Sequence, residues 1–201
     1  MPRPYRLGRR QVISDQTRTR IVAAARAILI DPNMTYNGFS IDAVALEADV
    51  ARMTVYHQFG SKLGLLEGLC DALSIEGGME DLAAAFRSHQ LDEALEAFIT
   101  TFGRFWGTDR LIIRRLNAFA VFDPDFGEVM HARNERRRHG LRVLLERHLA
   151  SMPPADREAK VEVLFAITSF DTFDTLAGPN APLEAAAPAI VSLAKLLVNH
   201  R

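Results

Sequence analysis

The sequence predicts an all-α protein, with an N-terminal three-helix domain carrying a helix-turn-helix and a larger C-terminal helical domain. Three observations carry that expectation. Apolar residues recur at intervals of three and four along most of the chain, no segment reads as a strand, and stops such as Gly77-Gly78, Asp123-Pro124 and Gly178-Pro179 punctuate the pattern.

The opening residues 1–16, MPRPYRLGRRQVISDQ, hold four arginines and two prolines without an apolar stripe, and are expected to form a flexible basic arm. Such an arm is either a plain tail or a segment that follows the DNA backbone or enters the minor groove. No apolar run of signal-peptide length follows the basic residues.

A first helix is expected over Thr17 to Leu29, and the chain from Ser40 to Leu65 then reads as two short helices, a tight turn and a capped third helix. Ser40 stands where an N-cap belongs, with Ile41, Val44, Ala45 and Ala48 on one face at helical spacing. Ala45 is the small residue needed where two helices cross, and Asp49 occupies the bend. If Val55 points inward, the 100° step of a helix turns Arg52, Met53, Thr54, Tyr56 and His57 to the open side or its edges. Each has a use on DNA. Arginine bonds guanine at two atoms, threonine or methionine meets a thymine methyl, and tyrosine or histidine reaches a phosphate. Phe59 would anchor the helix end, and Ser61 would cap a further helix whose free N–H groups, with Lys62 beside them, suit a phosphate.

These residues together resemble the TetR family of bacterial one-component transcriptional regulators. The matching pattern is an arginine-led first helix, Ser40-Ile41-Asp42-Ala43-Val44-Ala45, Ala48-Asp49-Val50, Thr54-Val55-Tyr56 and Phe59-Gly60-Ser61-Lys62-Leu63-Gly64-Leu65. The family usually has glycine where Asp49 stands, and aspartate tolerates a left-handed backbone better than most residues. The stretch Ile30 to Phe39 is slightly longer than the family norm. The resemblance implies a DNA-binding domain over 17–65, with Thr17, Arg18, Ser40, Arg52, Met53, Thr54, Tyr56, His57, Ser61 and Lys62 toward the duplex. Taken singly, Tyr56 and Phe59 read equally as core aromatics and Lys62 as a solvated surface charge.

Charge is distributed in keeping with that expectation. Residues 1–62 carry nine basic and five acidic groups, a net of +4, while the remainder has a net of −5, although the whole chain stands at −1. A single cysteine, Cys70, excludes an internal disulfide and reads as a buried small hydrophobe. No apolar run is long enough to span a membrane, so the expected protein is soluble and cytoplasmic.

Residues 66–201 are expected to form the second domain. Leu91, Leu95, Phe98, Phe102, Phe105 and Trp106 form one stripe, and Leu111, Ile112, Leu116, Phe119 and Phe122 form another. Phe126 to Ala150, Asp156 to Ala177 and Leu183 to Asn199 each read as one helix. Phe98, Phe102, Phe105, Trp106, Phe119, Phe122, Phe165, Thr168 and Phe173 are candidates to line an apolar cavity between helices, with plain packing as the alternative for each aromatic. Around Phe165 to Leu176, the polar groups Thr168, Asp171, Thr172 and Asp174 face water, a ligand or a dimer seam. The resemblance implies a small-molecule inducer for this domain. It further implies a homodimer built on the last two helices, with Leu164, Ile190, Leu193, Leu197 and Val198 near the seam. Two-fold pairing would match a palindromic double-stranded operator.

Enzyme chemistry is the competing class. Glu128 with His131, and Glu135 with His139, have ligand-like helical spacing, but their neighbourhood HARNERRRHG reads as a solvated charged face. The arginines Arg133, Arg136, Arg137 and Arg138 offer a different use, binding an acidic ligand. No Ser-His-Asp order, glycine-rich phosphate loop or cysteine-histidine spacing occurs, so the expectation is no enzyme, no metal and no cofactor. A helical metal-dependent or small-molecule-binding protein without a DNA role stands as the alternative.

Overall fold

The computed structural model describes residues 5–199, with side chains from residue 12 onward. Eleven α-helices and three short 3₁₀ turns make up the described residues, and no strand occurs among them. The first is α1 (Tyr5–Ile30), and it corrects the expected arm, whose first four residues lie outside the described ones. After Pro4 no proline interrupts the chain until Pro32, so nothing stops a helix that begins at Tyr5. The Gln58 amide also donates to the Ser14 carbonyl and hydroxyl oxygens at 3.5 and 3.0 Å, tying this extension to the rest of its unit. Thr17 is consequently mid-helix, with its hydroxyl donating back to the Ile13 carbonyl at 2.8 Å.

After α1 come α2 (Ile41–Glu47), α3 (Arg52–Phe59) and α4 (Lys62–Glu76). The intervening loop makes an Asx turn, in which Asn33 N–H donates to Asp31 Oδ1 at 2.8 Å, and then a 3₁₀ turn over Tyr36–Gly38 capped by Thr35. Helix α1 packs on α2 and α3, and α2 on α3, burying Ile21, Leu29, Phe39, Val44, Val55, Leu65 and Leu69.

The chain divides into two compact units, and the division differs from a single break after Leu65. The first unit runs through Ala72 and takes in Arg114–Gly127; the second comprises Leu73–Ile113 and the residues from Glu128 onward. The returning segment is drawn from α7 (Arg110–Phe122) and the start of α8 (Pro124–His148). It supplies Phe119, whose ring meets Tyr36 edge-on at 5.0 Å and Phe39 at 5.7 Å. Arg115 donates to the carbonyls of Leu29 and Asp31, which end α1.

The second unit contains α5 (Ala83–Arg87), α6 (Leu91–Gly107), most of α8, and then α9 (Pro154–Ile167), α10 (Phe170–Ala177) and α11 (Ala187–Asn199). Helix α6 packs against α5, α10 and α11 and buries Leu95, Phe98, Ile99, Phe102 and Trp106. Each such ring removes enough apolar surface from water to contribute roughly 1.5–3 kcal/mol. The single helix expected over Asp156 to Ala177 is broken at Thr168 and Ser169. Ser169 has extended backbone angles and its hydroxyl accepts from Thr172 N–H at 3.3 Å, so it starts α10 as an N-cap. Helix α5 and its preceding 3₁₀ turn (Met79–Leu82) are short pieces that carry no sequence-level stripe.

The expected seam residues are also sorted differently. Leu164, Ile190 and Val198 are buried inside the unit, whereas Val163, Leu193 and Leu196 are exposed on α9 and α11. One apolar stripe on each helix serves the core and its neighbour serves the surface, a distinction of about 100° that apolar identity alone does not carry.

Candidate nucleic-acid interface

The interface is built from α2, the bend and α3. Ser40 has extended angles and accepts from Ala43 N–H at 3.1 Å, which caps α2. At the bend Asp49 has φ of 49°, the one non-glycine residue with positive φ among those described. Its N–H donates to the Leu46 carbonyl at 3.1 Å and that of Val50 to the Ala45 carbonyl at 3.0 Å, so the reversal is hydrogen-bonded across its width. Aspartate occupies this left-handed position at some cost in backbone energy.

Val55 is fully buried, so the opposite face of α3 is set by helical geometry. Met53, 59% exposed, and His57 stand on that face, Arg52 is exposed on the flank toward α2, and Thr54 and Tyr56 are half-buried at the edges. Arg52 is held at both ends of its reach. It forms an ion pair with Asp42 of α2 at 3.1 Å, and it donates to the Tyr56 hydroxyl at 3.3 Å, one helical turn on. Tyr56 and Asp42, in that order, raise its pKa above the ordinary arginine value. Asp42 escaped sequence reasoning because a pairing between two helices follows no spacing rule.

Helix α3 ends at Gly60, whose φ of 75° is a backbone conformation that favours glycine. Ser61 accepts from Gly64 N–H at 3.0 Å and thereby caps α4. A side chain at Gly64 would collide with the Phe59 carbonyl oxygen, so the turn closes only with glycine there.

Three expected contacts are placed away from a free approach to phosphate. Arg18 donates to the Gln58 carbonyl at 2.8 Å and lies 4.2 Å over the Phe59 ring, fastening α1 to the end of α3. Thr17 is half-buried and back-bonded within α1. Lys62 is half-buried, with its ammonium 4.0 Å over Tyr36 and 5.9 Å from Phe39. Burial lowers its pKa, and the nearby Asp123 carboxylate opposes that shift. Asp123 accepts from the Tyr36 hydroxyl at 2.7 Å and from Phe126 N–H at 3.1 Å, both of which hold its pKa below the usual carboxylate range.

Phe119 and Phe122 are corrected out of the expected cavity lining: both belong to the first unit, where they pack on Tyr36, and Phe122 is largely exposed. The remaining aromatics come together in the second unit. Phe98 lies 4.8 Å from Phe102, Phe102 5.7 Å from Trp106, Phe105 4.6 Å from Trp106, and Trp106 5.9 Å from Phe170. Thr168 is fully buried beside them and its carbonyl accepts from the Trp106 indole N–H at 3.1 Å. Phe173 is buried against Gly103 of α6. The residues Glu128, His131, Glu135 and His139 are spread along α8, and no three His, Cys, Asp or Glu side chains gather as a metal site among the described residues. No described helix is long and apolar enough to cross a membrane.

A capped helix, a left-handed bend and a second helix with an exposed, contact-capable face define a helix-turn-helix protein. Residues 21–69 match the family described as bacterial regulatory proteins, tetR family, so this N-terminal segment is similar to the DNA-binding domain of that family. No curated protein matches the sequence. Among solved structures, a TetR-like transcriptional regulator from Rhodococcus sp. RHA1 is 24% identical with a TM-score of 0.62, covering 100% of both chains. A transcriptional regulator of the TerR/AcrR family from Aquifex aeolicus VF5 is 15% identical with a TM-score of 0.67, over 90% of this chain and 99% of that one. The TetR family regulator PfmR from Thermus thermophilus is 16% identical with a TM-score of 0.64, over 87% of this chain and 96% of that one. At such identities the likeness concerns the fold.

Proposed function

We propose that the protein is a homodimeric repressor whose first unit holds a palindromic operator and whose second unit releases it on binding a small molecule. The observation that carries the DNA reading is the exposed side of α3, where Met53 and His57 stand opposite the buried Val55 and Arg52 is exposed on the flank toward α2. Thr54, Tyr56 and Ser61 border that face, and Ser40 serves it as the cap of α2. An arginine already oriented by Asp42 and Tyr56 loses less side-chain freedom on meeting a base edge than a free one would.

Dimer formation is supported by the exposed apolar residues Val163, Leu193 and Leu196 on α9 and α11. They border a groove of about 810 Å³ that also takes in Met152, Ile167 and Leu197. A contiguous apolar surface of this kind favours a second copy over water. Ligand release requires only that the small molecule bind the DNA-free form better than the DNA-bound one, by a few kcal/mol.

A gel-shift titration against the DNA flanking the protein's own gene, with and without a panel of apolar and acidic small molecules, tests this reading. The expected result is saturable, palindrome-dependent binding that at least one compound class weakens. Equal affinity for flanking and random DNA would overturn the regulator reading, and insensitivity to every compound would overturn release by ligand.

A further inference from the structure

We infer that Arg137 is the anion-recognising group of the small-molecule site, and that the ligand is a monocarboxylate with an apolar body. This inference rests on the reading of the second unit as the ligand-binding one. Arg137 lies on α8 and is only 5% exposed. Its Nη1 donates to the Phe165 carbonyl and to the Thr168 hydroxyl oxygen, each at 2.6 Å, and both acceptors are neutral. Its guanidinium lies 4.0 Å over the Phe165 ring and 5.9 Å from that of Phe102. Its Nε is buried without a hydrogen-bond partner.

The contrast with other arginines on the same helix is direct. Arg138 pairs with Glu135 at 3.3 Å and Glu162 at 3.0 Å, and Arg142 with Glu158 at 2.5 Å. Among the described residues no carboxylate pairs with Arg137. Burial, reinforced by the charge of Arg138, lowers its pKa to about 10, which still leaves it protonated near neutral pH. An interior cation balanced only by dipoles and ring faces is costly, and such costs collect where a protein keeps a group for a ligand.

The unbonded edge of the guanidinium defines the ligand. With Nη1 committed, the Nε edge remains, and that edge grips the two oxygens of a carboxylate side by side. One uncompensated cation calls for one negative charge, which favours a carboxylate over a doubly charged phosphate ester. Phe102, Phe165 and Trp106 supply flat apolar surface for the rest of the molecule. Thr168 keeps the opposite side of Arg137 in place, because its hydroxyl also donates to the Leu164 carbonyl at 2.8 Å.

The test compares the full-length protein with Arg137→Met in thermal melts. Probes are benzoate, 3-phenylpropionate and octanoate, each beside its own amide. We expect Arg137→Met to melt no lower than the unmodified protein, because an unpaired interior charge has gone. We expect at least one acid to raise the melting temperature of the unmodified protein by several degrees, its amide to do far less, and Arg137→Met to lose the response. A variant that melts several degrees lower would make Arg137 a structural strut, and acids that act no differently from their amides, or that shift nothing, would equally overturn the inference. A parallel gel shift separates the two readings. Operator release by neutral compounds, with acids no better, leaves the ligand-gated reading standing and removes the anion site. An Arg137-dependent acid response that leaves operator affinity unchanged does the reverse.

Discussion

Arg18 in the first unit and Arg137 in the second make nearly the same contacts in different surroundings. Arg18 sits 4.2 Å over Phe59 and donates to the Gln58 carbonyl at 2.8 Å; Arg137 sits 4.0 Å over Phe165 and donates to the Phe165 carbonyl at 2.6 Å. Arg18 is half-buried and keeps access to water, so its contacts fasten two helices at little desolvation cost. Arg137 is enclosed, and the same contacts leave its charge uncompensated. A guanidinium on an aromatic ring is thus a fastener where water reaches it and a seat for an anion where water does not.

The sharpest way to break the comparison is to destroy one unit's scaffold. Val55→Asp places a carboxylate at a fully buried position beneath α3. It should cost about 3 kcal/mol or more and abolish operator binding, as read by denaturant melts and gel shifts. Arg52→Ala removes only a surface group, so the melting temperature should hold while operator affinity falls roughly tenfold to a hundredfold. Its affinity for random DNA should change little; parallel losses on both would mean that Arg52 meets phosphate rather than base.

Arg18→Ala tests the fastener itself. Loss of the Phe59 stack and the Gln58 bond should lower stability by about 1–2 kcal/mol, with DNA binding reduced alongside. A loss of affinity at unchanged stability would restore Arg18 to the duplex. The Tyr36–Asp123 bond gives a pH arm. Asp123 has a depressed pKa in the folded chain, so its contribution is complete above the unfolded value of about 3.9 and is lost as pH falls through the folded value. Melts below about pH 4 should therefore show a component that Asp123→Asn lacks. The smallest effect is expected at the bend, where Asp49→Gly relieves a φ of 49° and should stabilise by up to about 1 kcal/mol without altering operator choice.

Lys62 shows how a residue can be identified correctly and its surroundings missed. Its position at the start of α4 follows from the Ser61 cap and is legible in the chain. Its seat over Tyr36, with Asp123 nearby, depends on residues 26 positions before it and 61 after it. Lys62→Ala should accordingly change the salt dependence of DNA binding by less than one phosphate contact, about one unit of slope at most. The helix-turn-helix was readable because caps, bends and buried stripes act over three to five residues. The break at Ser169, by contrast, was hidden inside a helical pattern that runs from Asp156 to Ala177 without a glycine or proline to mark it.

Local chemistry by itself determined the all-α class, the capped α2, the left-handed bend at Asp49 and the outward set on α3. Each depends on backbone geometry and on neighbours within one or two turns. Only the tertiary structure decided that Phe119 and Phe122 serve the first unit and that Arg137 is enclosed without a carboxylate. Those outcomes turn on which distant side chains share a volume, and burial and charge pairing have no signature in residue type until the chain has closed on itself.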